Sequence, residues 1–159
     1  MHTGRVDEND FDLPLPIVES TDEKVLAGTF GSPDAEPDPR TPLGAAFLWW
    51  MALKDPVKYR KALNNLSINP SAWNGYHEAA SLIGHLSILS GVEDNPEDPD
   101  IKYVRFIDYG GDSSGQVFED AEMRNFFVLT VVKPEESEWW LVWGLSDRYF
   151  PARGEVRDR

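Results

Sequence analysis

Thr41-Pro42-Leu43-Gly44-Ala45-Ala46-Phe47-Leu48-Trp49-Trp50-Met51-Ala52-Leu53 is the stretch that decides the fold. Thr41 before Pro42 marks a helix start. A threonine hydroxyl accepts a bond from an early helical N–H, and proline fits the first turn, where its missing donor costs nothing. Residues 43–53 are apolar or aromatic, apart from one glycine. Such a helix has no side that can face water, so core, partner or cavity must cover it all round. It spans only ~16 Å, too short to cross a bilayer.

Working downstream, Asp55-Pro56 repeats the cap signal and opens a second helix. Tyr59, Ala62, Leu63 and Leu66 fall at helical spacing and form its buried stripe, and Lys58, Arg60, Lys61, Asn64 and Asn65 form its solvated face. Asn69-Pro70-Ser71 caps a third helix that runs to about Ile83, with Trp73, Tyr76, Ala80 and Ile83 as its stripe and Gly84 as its stop. The period then shortens. Residues 85–91 alternate like a strand, 93–100 read as an acidic loop, and 101–109 form a strand rich in β-branched and aromatic residues. A glycine-rich turn at 110–115 leads to strands at 122–132 and 139–145, whose link has hairpin length. Helices followed by antiparallel strands give an α+β domain over residues 41–159.

Upstream, residues 1–40 read as a largely irregular acidic arm. They hold five prolines, and ten acids against three bases. Proline interrupts both helix and sheet ladders. Val25-Leu26-Ala27-Gly28-Thr29-Phe30 has the texture of an added edge strand. Phe11-Asp12-Leu13-Pro14-Leu15-Pro16-Ile17-Val18 reads either as a tail lying on its own domain or as a docking peptide for a protein partner.

The net charge of −13 argues against nucleic acid and anionic membrane as partners, because both need clustered Lys and Arg. The chain has no cysteine, which removes disulfides, thiolate metal sites and a cysteine nucleophile. Its first residues are acidic and lack an apolar signal core, so a cytoplasmic location is expected.

Three segments carry a family resemblance: Thr41 to Trp50, Met123 to Val132, and Trp139 to Leu145. Helices first, then long antiparallel strands ending in an aromatic hairpin, resemble the NTF2-like superfamily over roughly residues 40–150. The resemblance implies helices packed on the concave side of a curved sheet, often around a cone-shaped pocket. The family usually begins its sheet between its second and third helices, where this sequence shows no strand pattern. The paired Asp and His of its isomerase members are not found either. Fold does not give function.

No motif here carries a specific chemistry. Gly111-Asp112-Ser113-Ser114-Gly115 spells G-x-S-x-G, but no helix start follows, and a glycine-rich hairpin loop accounts for it better. His77 neighbours Glu78 on a helix, where adjacent residues do not face each other, and His85 follows a helix stop. The acidic loop lacks the spacing and the turn glycine of a calcium loop. No catalytic residue, metal site or cofactor is expected. Arg105 and Arg124 are expected to pair across the sheet with Glu122 or Asp108, or to face a pocket.

The six tryptophans say more. In the last strand Trp139, Leu141, Trp143 and Leu145 share one face and Trp140 and Val142 the other. Both faces of the sheet are therefore partly apolar. One meets the helices and the other meets the arm, a second subunit or a ligand. The candidate pocket is an apolar space between helices and sheet where Trp50, Trp73, Tyr76 and Trp143 converge, with His77 or Arg105 near its mouth. Two functions follow. One is a non-catalytic module that binds a protein partner or forms a homodimer through a sheet face. The other is a small-molecule site for apolar ligands, binding or enzymatic, in the aromatic pocket.

Overall fold

The computed structural model describes residues 23–32, 34–83, 89–107 and 126–157. Among these residues the elements follow in the order α1 (Glu23–Phe30), α2 (Pro42–Ala52), α3 (Arg60–Asn65), a 3-10 segment (Pro70–Tyr76), α4 (His77–Ile83), β1 (Leu89–Asn95), β2 (Asp98–Ile107), β3 (Phe126–Val132), β4 (Leu141–Asp147) and α5 (Arg153–Arg157). The strands form one antiparallel sheet in the order β1-β2-β3-β4. The α+β class is the one the sequence predicts.

The central helix forms as its sequence dictates. Thr41 Oγ1 accepts the Gly44 N–H at 3.0 Å, and Pro42 sits in the first turn. Residues 44–52 are all buried, and the helix contacts all four strands. The chain before it is pinned close: a Cβ on Gly44 would stand 2.1 Å from the Asp38 carbonyl oxygen. Asp38 O in turn accepts the Thr41 amide at 3.0 Å and the Thr41 hydroxyl at 2.9 Å.

Several expectations change. Residues 25–30 belong to α1, not to an edge strand. Leu26 lies in the core and the Phe30 ring meets Phe47 edge-on at 5.0 Å. An apolar residue that reaches a core face needs no β pairing to be ordered. Residues 34–40 also join the domain: Pro39 is buried and its carbonyl accepts the Trp140 amide at 2.8 Å. The second helix is shorter than its cap signal suggests, since residues 55–59 are turns. Ala62, Leu63 and Leu66 of its stripe are buried. The third helix is broken. Asn74, Gly75 and Tyr76 take positive φ values of 53°, 85° and 69°, which splits it into the 3-10 segment and α4.

Residues 93–100 are not a solvated loop but the β1–β2 hairpin, with Pro96 and Glu97 at its turn. Two of its acids are paired within the hairpin: Asp94 meets Lys102 at 2.7 Å and Glu93 meets Arg105 at 2.8 Å. Between α3 and the 3-10 segment, where no strand pattern is visible, Ser67 makes a single parallel bridge to Val142. The Val142 amide donates to Leu66 O at 2.7 Å and the Ile68 amide to Val142 O at 2.9 Å, so the start of the β4 edge is covered. The arm segment 11–18, His85, the G-x-S-x-G stretch, Arg124, Glu122 and Asp108 lie outside the described residues.

The sheet has an apolar layer on each face. Val104, Phe106, Leu129, Val131 and Val142 pack under the helices in the main core. Ile101, Tyr103, Val128 and Val132 form a second cluster on the other side, with Val156 of α5 buried against them. Among the described residues no helix is long and apolar enough to cross a membrane.

Candidate functional site

The predicted pocket residues divide between the two faces. Trp50, Trp73 and Tyr76 belong to the helix-side core. Trp50 is fully buried, donates its indole N–H to Ile83 O at 2.9 Å, and stacks obliquely on Phe106 with ring centres 5.3 Å apart. Lys54 Nζ lies 4.9 Å from the Trp50 ring centre, and burial pushes its ammonium pKa down. Trp73 and Tyr76 lie parallel at 6.1 Å and both meet Trp49 edge-on, at 4.8 and 6.2 Å. Trp49, Trp73 and Tyr76 form one ring cluster and Trp50 packs with Phe47 and Phe106 in another, and the polar ends of Trp49, Trp50 and Tyr76 are bonded inside the fold.

Ser67 is the hub of those bonds. The Trp49 indole donates to Ser67 Oγ at 3.0 Å, and the Ser67 hydroxyl donates to Leu63 O at 2.7 Å. The Tyr76 hydroxyl reaches Asn64 Oδ1 at 2.9 Å and Ser67 Oγ at 3.3 Å. Burial raises the Tyr76 pKa, so the phenol stays protonated and keeps its donor. Periodicity gives no sign of Ser67, which sits between two helix signals. Its role depends on groups from three elements.

Trp143 and Arg105 do not join this cluster. Thr130 stands opposite Gly144 and Val131 opposite Val142, so the register shifts by one residue at Trp143. This β-bulge reverses the side-chain alternation. Val142 and Leu145 consequently pack toward the helices, whereas Trp143 packs on the second cluster. The expected sharing of one face by Trp143 and Leu145 fails for that reason. Arg105 is paired with Glu93 and its guanidinium lies 5.5 Å from the Phe126 ring centre, also of the second cluster. His77 is exposed at the start of α4.

The second face carries Tyr149 and Phe150 among the exposed large hydrophobic residues, while Val57 and Leu82 are exposed elsewhere. It is partly covered by a strap, residues 148–157, that turns back from β4. Phe150 meets Tyr103 edge-on at 5.2 Å, and Tyr103 donates its hydroxyl to Pro151 O at 2.6 Å. Arg157 grips Asp98 with Nε at 2.9 Å and Nη2 at 3.2 Å, and Arg153 Nε stands 3.3 Å from the same carboxylate. The Arg157 hydrogen bond holds the Asp98 pKa below its ordinary value. The Tyr149 hydroxyl bonds to Glu155. Beside the strap runs an open groove of about 630 Å³ with Ile68, Trp143, Leu145, Tyr149 and Val156 in its walls. Ile68, Tyr149 and Phe150 are exposed. The sequence carries one sign of this latch, the i, i+4 spacing of Arg153 and Arg157, which puts both cations on one helix face. Among the described residues no group of three or more His, Asp or Glu side chains is placed to hold a metal ion. Compared with protein-family models, curated proteins and solved structures, the chain matches none.

Proposed function

We propose that the chain is a non-catalytic NTF2-like module that binds a protein partner, in the first place a second copy of itself, through the face of the sheet opposite the helices. One observation carries this reading. Trp49, Trp50 and Tyr76 are buried and hydrogen-bonded on the helix side, whereas on the other face Trp143 lines an open groove and Tyr149 and Phe150 are exposed. Partly exposed aromatic clusters of that kind are typical anchors of protein interfaces. The NTF2-like part of the reading draws support from the order of helices before an antiparallel sheet, and from the Ser67–Val142 bridge. That bridge falls between helices where the family begins its sheet. Sedimentation velocity over about 5–200 µM, the range of weak to moderate dimers, is expected to show a monomer–dimer equilibrium. A single monomeric species throughout removes the self-association reading.

A second reading has its own observation. The groove beside the strap has the volume and aromatic wall of a small apolar ligand site. It puts the ligand on Trp143 instead of among Trp50, Trp73 and Tyr76. Saturable quenching of tryptophan fluorescence by an apolar dye is expected to be lost in Trp143→Ala and kept in Trp73→Ala. The opposite pattern returns the site to the helix side.

A further inference from the structure

A sheet face that is to meet a second copy is already occupied by the chain's own strap, and the way the strap is held suggests how both can be true. Its helix, Arg153–Arg157, has five residues, far below the length that is stable in isolation. Its order therefore comes from what it touches: Val156 against Ile101, Val128 and Val132, Phe150 against Tyr103, and two arginines on Asp98. Each of these contacts joins the strap to the sheet. The same sheet surface on another copy offers the same set.

The turn that folds the strap back is strained. Arg148 donates its amide to Phe126 O at 3.0 Å as the last rung beside β3, and then takes φ of 55°. A left-handed backbone is unfavourable for any residue with a Cβ, and arginine has no short polar side chain to offset it. The strain exists only while the chain reverses over its own sheet. If β4 continues straight on, Arg148 relaxes to an extended conformation and the strap reaches a neighbour.

We propose that residues 149–157 are an exchangeable strap, and that two copies associate by each laying its strap on the other's sheet face. The proposal rests on the self-association reading above and gives it a mechanism. The Asp98 latch, the Tyr103–Pro151 hydrogen bond and the Val156 contact are all remade between chains. The strain at Arg148 is released twice per dimer. Reciprocal exchange closes on a two-fold axis, so it stops at a dimer.

The chain has no cysteine, which makes a specific cross-link simple. Glu97, on the β1–β2 turn, and Ala152, on the strap, are both exposed and line one cleft. The double variant Glu97→Cys/Ala152→Cys is bridged with a bismaleimide while dilute and then concentrated. The bridged protein is expected to remain monomeric where the unbridged variant dimerises. Mixed single variants are expected to give a covalent Glu97→Cys to Ala152→Cys pair. In addition, Arg148→Gly removes the strain of the folded-back form and is expected to weaken the dimer about fivefold or more per hinge. If the bridged protein dimerises as well as the unbridged one, exchange is wrong and the copies meet by another contact. If Arg148→Gly dimerises equally or more tightly, exchange driven by the hinge is wrong. If the unbridged protein stays monomeric at every concentration, the self-association reading falls as well.

Discussion

Ser67 shows how much of this interior depends on a single hydroxyl. It accepts the Trp49 indole, caps the Leu63 carbonyl and lies within reach of the Tyr76 hydroxyl, while its backbone forms the bridge to β4. Ser67→Ala leaves a buried indole N–H without an acceptor, and such an orphan costs about 1–3 kcal/mol. A fall of that size in unfolding free energy is expected from urea titration, and a loss under ~0.5 kcal/mol would mean that Trp49 finds another acceptor. Thr130 is the opposite case. It is fully buried on the strap side of β3, and its Oγ1 has no hydrogen-bond partner among the described residues. Exchanging that hydroxyl for a methyl removes an unmet polar group and keeps the branched shape that suits a strand. Thr130→Val is therefore expected to stabilise the fold by roughly 1 kcal/mol, read as a higher urea midpoint with unchanged slope. A destabilised Thr130→Val shows that the hydroxyl has a partner in solution.

At the scale of elements, the latch between α5 and the β1–β2 hairpin has a defined pH dependence. Asp98 is the carboxylate. It faces Arg153 and Arg157 from α5, the Asp100 amide on its own strand and Asn95 across the hairpin. Its folded pKa lies below the ordinary 3.8, chiefly through the Arg157 hydrogen bond. A depressed carboxylate pKa contributes stability above the unfolded pKa and loses it as pH falls through the folded one. Wild type is therefore expected to melt higher than Asp98→Asn at neutral pH. The gap should shrink as pH falls below 3.8 and close only once pH lies below the depressed folded pKa, where Asp98 is protonated in both states. A gap that persists in acid assigns the effect to packing instead. This latch also marks the limit of the sequence as a guide to elements. The α2 helix, β2 and β3 were legible, because apolar density and β-branched runs are local properties of residues 43–53, 101–107 and 126–132. Glu93, Asp94 and Asp98 read as solvated because their partners, Arg105, Lys102, Arg153 and Arg157, become neighbours only through folding. The kink at 74–76 and the bulge at Trp143 are likewise set by tertiary fit. For the candidate site this meant that Trp50, Trp73 and Tyr76 all lie in the helix-side core, Trp50 beside Phe47 and Phe106 and the other two beside Trp49, and that one extra residue in β4 carried Trp143 to the opposite face.

For the molecule as a whole, charge and apolar surface pull in opposite directions. Each copy carries a net charge of −13, so two copies repel over distances comparable to the Debye length. That length is ~30 Å at 0.01 M salt and ~10 Å at 0.1 M, and short-range burial is hardly affected by the change. The apolar part of the interface, Trp143, Tyr149, Phe150 and the layer beneath them, gains nothing from complementary charge. Its only long-range electrostatic term is the repulsion. The ion pairs that do form part of the contact, Asp98 with Arg153 and Arg157, centre on a carboxylate that is 8% exposed. Salt screens such a pair less than it screens charges in open water. Added salt therefore removes more repulsion than attraction, and the dimer is expected to tighten as ionic strength rises. Sedimentation equilibrium in about 0.02 M and about 0.3 M sodium chloride, on either side of the screening range, reads the difference as a lower dissociation constant at the higher salt. A dimer that instead weakens as salt rises would be held by opposed charges. Its interface would then lie away from the apolar sheet face, on surface where Lys and Arg of one copy meet the acids of the other.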